Sequence, residues 1–153
     1  MDVKSTFLHG DFHEEIYIQK PPGFIQRDSI LVCHLRKSLY GLKQAPRAWY
    51  AKMDSFLLDN GFSRCHSDNT VYTKKVGKSL IILVLYVDDI ILIGSDPNHI
   101  NHVKSSLKKK FEMKDLGHLH YFLGLRVLQS KEGIALSQYK YARDLLCHFH
   151  MKD

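Results

Sequence analysis

Cysteine is scarce in this sequence: Cys33, Cys65 and Cys147 are odd in number, lie far apart and lack C-x-x-C spacing. That excludes the usual zinc and thiol-redox patterns and fits a reducing compartment. A membrane-spanning run is also lacking. The most apolar stretch, Leu80 to Ile93, is too short to cross a bilayer and carries two carboxylates at its centre, so it belongs in a protein core. No secretory leader is expected, because Met1 runs directly into Asp2-Val3-Lys4 and not into an apolar run. Internal repeats and low-complexity linkers are missing as well. These absences point to an intracellular, cytoplasmic protein with no membrane partner.

What is present suits one ordinary domain: 153 residues at 44% hydrophobic content are enough to bury a single core. The net charge of +6 favours an anionic partner such as nucleic acid, although a merely basic surface fits it equally well. Histidine is abundant at ten residues, and His118/His120 and His148/His150 each place two imidazoles at i, i+2. Such pairs share a side on a strand and diverge on a helix. Neither pair falls in a recognised zinc-ligand spacing, so they read as surface histidines.

The periodicity predicts an α+β chain. Asp2 to Leu8 suits a short strand, and Glu15 to Gln19 alternates as another before Pro21-Pro22-Gly23 breaks it. Trp49, Met53, Phe56 and Leu57 form a helical stripe after Pro46, with Gly61 placed to end it. Val71 to Val76, a turn at Gly77-Lys78 and Leu80 to Tyr86 form a hairpin, and Ile90 to Ile93 returns as a further strand. Ser95-Asp96-Pro97 starts a helix whose apolar stripe is Ile100, Val103, Leu107 and Phe111 and whose other face is lysine-rich. Tyr121 to Gln129 and Ile134 to Ser137 flank a turn at Lys131-Glu132-Gly133, and Gln138 to His150 is a terminal helix.

The segment Ile81 to Ile93 carries the most chemistry. Tyr86-Val87-Asp88-Asp89 puts two adjacent carboxylates at a turn between strands apolar enough to be buried. Like-charge repulsion adds there to the cost of desolvation. A hard divalent cation, Mg2+ or Mn2+, would offset that cost through all-oxygen ligation. Alternatively the turn simply points its Asp side chains into water and onto its own backbone.

Five ordered blocks resemble one known family. Tyr-x-Asp-Asp between apolar strands is similar to motif C of reverse transcriptases, and Asp2-Val3-Lys4-Ser5-Thr6-Phe7-Leu8-His9-Gly10 resembles motif A. The block from Ser38 to Tyr50, Ser-Leu-Tyr-Gly-Leu-Lys-Gln-Ala-Pro-Arg-Ala-Trp-Tyr, looks like motif B in its copia form. Ile16 to Phe24 and Tyr121 to Leu125 match that group too, the latter resembling a primer-grip hairpin over residues 119–137. The resemblance spans essentially the whole chain and is to the reverse transcriptases of copia-type LTR retrotransposons.

That resemblance implies the palm of a right-hand polymerase, an antiparallel sheet packed on helices, with part of the fingers, in one partial domain over residues 1–153. It implies nucleotidyl transfer from a dNTP to a primer 3′-hydroxyl with two ions, Mg2+ or Mn2+, held roughly 3.5 to 4 Å apart. Asp2 and Asp88 would bridge the ions, Asp89 would support them, and Val3 belongs to the same metal-binding set. Lys114, taken ahead of Lys108, Lys109 and Lys110, would protonate the departing pyrophosphate; a solvated lysine face is the alternative. Phe7 would lie beneath the incoming sugar and exclude a ribose 2′-hydroxyl, unless it is plain core packing. Tyr40, Gly41 and Lys43 would flank the nucleotide. Tyr86 and Val87 would meet the primer end, and Leu123 and Gly124 would hold its backbone.

The implied partners are an RNA or DNA template with its primer, dNTPs, and the integrase and ribonuclease H of a Pol polyprotein, with a virus-like particle as the setting of an intact element. Asp2 has only Met1 before it, a position prone to fray, and the chain reads as a truncated piece of the polymerase. An inert relic and a non-catalytic nucleic-acid-binding fragment are the alternatives to an active enzyme.

Overall fold

Strands with an apolar residue at every second position must cover one face, and helices with apolar stripes supply the cover. The computed structural model describes residues 1–24 and 31–151. The chain divides into two compact units, Met1–Asp115 and Leu116–Asp153.

The first unit is built on a six-stranded sheet. Its strands are β1 (Asp2–Val3), β4 (Ser63–Arg64), β5 (Val71–Val76), β6 (Ser79–Tyr86), β7 (Asp89–Gly94) and β8 (Met113–Lys114), in the order β4-β5-β6-β7-β1-β8. Every neighbouring pair is antiparallel. A separate two-stranded ribbon joins β2 (Asp11–Ile18) to β3 (Cys33–Lys37). Helices α1 (Ala45–Asp59) and α2 (Pro97–Lys110) complete the unit.

Period-2 patterning decides which face is covered. Tyr72, Ile81, Leu83, Leu85, Ile90 and Val3 are buried, and they join Trp49, Met53 and Leu57 of α1 and Val103 and Leu107 of α2 in one core cluster. Ile82, Val84 and Ile91 alternate with them and are half-buried, while Tyr86 is 50% exposed on that second face. Helix α2 starts as its sequence signals require: the Asp96 carboxylate accepts from the Asn98 N–H at 2.8 Å, and Pro97 follows at the first helical position.

Several expectations are corrected. The strand expected over Asp2 to Leu8 stops at Val3, because Ser5 turns left-handed at φ 50° and Thr6–His9 coils as a 3-10 turn. The Thr6 hydroxyl donates to the Val3 carbonyl at 2.9 Å, locking that turn. The strand expected over Tyr121 to Gln129 splits into β9 (Tyr121–Phe122) and β10 (Leu125–Gln129), since Leu123 at φ 48° and Gly124 at φ 82° cannot continue a ladder. Phe111 lies one residue past α2 in extended backbone, yet its ring stays buried. The strands β3, β4 and β8 carry no sequence signal of their own.

In the second unit β9 and β10 pair with β11 (Ile134–Ser137) in a three-stranded sheet, followed by α3 (Tyr139–His148). The turn expected at Lys131-Glu132-Gly133 is there, closed by the Ser130 N–H donating to the Gly133 carbonyl at 2.9 Å. Val127 is its buried hydrophobic side chain, and α3 buries none.

One polar cluster ties α1 to the sheet edge. Arg64 donates from Nε and Nη2 to the two carboxylate oxygens of Asp54 at 2.5 and 2.8 Å, and the buried Tyr72 hydroxyl donates to the same carboxylate at 2.9 Å. The Arg64 guanidinium, aided by the Tyr72 hydroxyl and opposed by burial, holds the Asp54 carboxyl below its ordinary range. A depressed carboxyl stabilises the fold above its unfolded pKa and loses that contribution as pH falls through its folded pKa. Asp54→Ala is expected to cost about 1–3 kcal/mol by removing the acceptor shared by the Arg64 guanidinium and the buried Tyr72 hydroxyl. Thermal melts from pH 7 down to 2 check this: the wild type should lose stability below about pH 4 more steeply than the variant.

Candidate active site at a strand turn

Tyr86 and Asp89 pair across β6 and β7, so Val87-Asp88 is a two-residue hairpin loop. Such loops need a mirror-image turn to match the twist of their strands. Val87 accordingly has φ 54°, the only positive φ of the two. A β-branched side chain there is strained, on the order of 1–3 kcal/mol. Both loop carbonyls are captured from inside the unit. The Trp49 indole Nε1–H donates to the Val87 carbonyl at 2.6 Å, and the Val3 N–H donates to the Asp88 carbonyl at 2.9 Å.

The second of these bonds belongs to β1, which lies between β7 and β8. Asp2 is directly opposite Asp89 on one side and Lys114 on the other. Directly opposed residues of neighbouring strands share a face. Tyr86, Asp89, Asp2 and Lys114 therefore form a row across the face that the core cluster leaves uncovered, and Asp88 sits in the loop beside it. Asp2, placed by the sequence on a fraying terminus, is paired along both edges.

Electrostatics registers the crowding. Burial, then the charges of Asp88 and Asp2, push the Asp89 carboxyl up, and the Met1 amino group partly opposes them. Among the described residues no group of three or more His, Cys, Asp and Glu side chains is drawn together as a ready metal cage. The donor set is nonetheless the right one for a hard cation: carboxylate oxygens from two strands and a loop, with Asp88 and Asp2 close enough to raise the proton affinity of Asp89. Val3 contributes differently from the acids, with its side chain in the core and its carbonyl already accepting from Thr6.

The other candidate residues fall into two groups. The Phe7 ring, partly buried against the core, lies 5.3 Å from the Tyr40 ring, so residues from two separate blocks meet there. The Ser38 N–H donates to the Gly10 carbonyl at 3.0 Å, joining the same two blocks through their backbones. Gly41 is at φ 91°, where glycine is required for backbone reasons; a Cβ there would touch nothing within 4 Å. Tyr40 and Lys43 are exposed. Leu123 and Gly124 occupy the break between β9 and β10 in the second unit, where Leu123 is 54% exposed.

A family model described as reverse transcriptase (RNA-dependent DNA polymerase) matches residues 1–153. The chain belongs to that family. It is 43% identical to the retrovirus-related Pol polyprotein from transposon RE1 of Arabidopsis thaliana, over 99% of this chain and 10% of that protein. It is 45% identical to the Pol polyprotein from transposon TNT 1-94 of Nicotiana tabacum, over 100% of this chain and 12% of the relative. A putative transposon Ty5-1 protein of Saccharomyces cerevisiae is 38% identical over 92% of this chain and 46% of that protein. The chain thus spans about a tenth of the first two relatives. No solved structure matches it. The copia-type resemblance read from the five blocks is borne out by these relatives.

The reverse transcriptase blocks were legible, but two features of the site were not. The first is the facing of Asp2 with Asp89, which depends on register. The second is the Trp49 bond to the turn, because its 38-residue separation leaves no periodic signal. No helix among the described residues is long and apolar enough to cross a membrane.

A raised carboxyl contributes stability below its unfolded pKa and loses it as pH rises through the folded value. Ionised Asp89 therefore strains the metal-free protein at neutral pH. Asp89→Asn is expected to raise the melting temperature in EDTA at pH 7, and the gain should vanish below about pH 4. Melting curves over that range test it; an unchanged or lower melting temperature at pH 7 would contradict the crowding.

Proposed function

We propose that this chain carries the polymerase palm of a reverse transcriptase, with part of the fingers, and that its row of acids serves metal-assisted nucleotidyl transfer from a dNTP to a primer 3′-hydroxyl. The observation carrying the reading is the register of β1, which sets Asp2 opposite Asp89 beside the Asp88 loop. Phosphoryl transfer demands charge compensation and positioning more than covalent chemistry. Carboxylates on separate strands meet that demand, since they hold cations without using one flexible segment.

Asp2, Asp88 and Asp89 would hold two Mg2+ or Mn2+ ions, with the Val3 carbonyl as an additional oxygen. Those ions, when bound, would activate the primer hydroxyl and neutralise the leaving pyrophosphate. Lys114, opposite Asp2 on β8, would donate a proton to the departing pyrophosphate. Phe7 and Tyr40 would form the sugar-facing wall, where a ring leaves no room for a 2′-hydroxyl; Gly41 and Lys43 would flank the nucleotide. Tyr86 and Val87, both about half exposed, would face the primer end, and Leu123-Gly124 would grip its backbone. The partners are a primed RNA or DNA template, dNTPs, and the remaining Pol segments, including integrase and ribonuclease H.

Calorimetric titration with Mn2+ tests the reading directly. Wild type should bind, and the Asp88→Asn, Asp89→Asn double variant should lose most of the heat; equal binding by the two would sink the assignment. Within a complete Pol polyprotein, primer extension on poly(rA)–oligo(dT) should likewise be abolished by Asp88→Asn.

Phe7 has its own test, made within a complete Pol polyprotein. Phe7→Ala should raise kcat/KM for ribonucleotides relative to deoxynucleotides by about tenfold or more. An unchanged ratio would return Phe7 to core packing.

A further inference from the structure

Trp49 is the one tryptophan in the chain, and the sequence gives it only a core role. Its ring does belong to the core, 2% exposed and edge-on to Phe111 at 5.3 Å. An indole in a purely apolar role would still need a partner for its N–H. The partner it takes is the carbonyl of Val87, the strained residue of the loop that presents Asp88.

Peptide geometry makes this choice consequential. Fixing the direction of the Val87 carbonyl fixes the plane of the peptide linking Val87 to Asp88. With the Asp88 carbonyl held by Val3, both peptide planes on either side of Asp88 are set from the interior. The Asp88 carboxylate has little freedom left beyond its own side-chain torsions. Trp49 also lies on α1, which continues directly from the block holding Tyr40, Gly41 and Lys43. Its close seat against the chain after β1 is enforced at Gly10, where a Cβ would come within 2.9 Å of the Ala48 Cβ.

We propose that Trp49 is a positioning residue for the carboxylate turn: its indole N–H clamps the strained Val87 peptide so that Asp88 is held ready for a divalent cation. The clamp also holds α1, and the block before it, in fixed relation to that turn. This inference rests on the metal-site reading above, and its test separates the two.

Because Trp49 is unique, biosynthetic replacement of tryptophan by benzothienylalanine exchanges its N–H for sulfur at this position alone while keeping ring size. Mn2+ affinity is measured by calorimetry, beside thermal melts, for wild type, the benzothienyl protein, Trp49→Phe and Asp88→Asn. Loss of one hydrogen bond predicts Mn2+ binding weaker on the order of fivefold in the benzothienyl protein, with its cooperative melt retained. The same replacement in a Val87→Gly background should cost clearly less, because glycine adopts this backbone without a clamp. Should Trp49→Phe fail to fold, the benzothienyl protein alone decides.

Wild-type Mn2+ affinity in the benzothienyl protein, alongside lost binding in Asp88→Asn, would overturn the clamp and leave the metal site standing. An equal loss with Val87 and with Val87→Gly would assign the effect to packing and also overturn it. Undiminished binding by Asp88→Asn would remove the metal site itself, and the clamp with it.

Discussion

Three carboxylates of like charge, gathered at one end of an apolar sheet, are the constraint around which the first unit is arranged. Left to themselves Asp2, Asp88 and Asp89 would separate, since each gains from water and loses from its neighbours. They are kept together by backbone pairing, with the Met1 ammonium group donating to the Ile90 carbonyl and partly offsetting their charge. The Ile90 N–H donates to the Met1 carbonyl and the Val3 N–H to the Asp88 carbonyl, stitching β1 onto the hairpin. Beneath them Val3, Leu85 and Ile90 sit in the core. Apolar burial and ladder hydrogen bonds thus supply the free energy against which the charges are concentrated. A raised Asp89 carboxyl is the local sign of that opposition.

The same balance accounts for the role of the helices. A sheet with one face outside the core has only its other face for cohesion, and α1 and α2 cover that face. Trp49, Met53 and Leu57 repeat at the spacing that turns one side of α1 to the sheet, and Val103 and Leu107 do so for α2. Asp54 and Arg64 then pin α1 to the sheet edge at β4. The second unit has far less of this cohesion, with three short strands and an amphipathic helix that buries no side chain. Small sheets of that kind have little core of their own. The Pol polyproteins from RE1 and TNT 1-94 are roughly eight to ten times the length of this chain.

Local pattern and tertiary packing divide the account between them. The hairpin of β5 and β6, the return of β7, the capped start of α2 and the stripe of α1 were legible because each is a short-range property. Alternation, a Pro after an Asx cap and i, i+4 spacing act within a few residues. The carboxylate pair was legible for a related reason: two adjacent acids inside an apolar run are a cost that local sequence does not explain away. The breaks at Ser5 and Leu123 were hidden, because neither residue is one that ordinarily signals a left-handed backbone.

What the sequence determined by itself is therefore the family, the kinds of element and the residue types at the turn, since ordered motifs and periodicity are written in single positions and short spacings. What only the tertiary structure decided is which groups meet. A two-residue strand has no periodicity to read, yet β1 brings Asp2 opposite Asp89 and Lys114, residues 87 and 112 positions away, by backbone pairing alone. The Trp49 indole reaches the Val87 carbonyl only because α1 packs across the sheet at a particular height. Register and packing height are properties of the assembled core, and a one-residue slip in either would leave every local signal in place while dispersing the site.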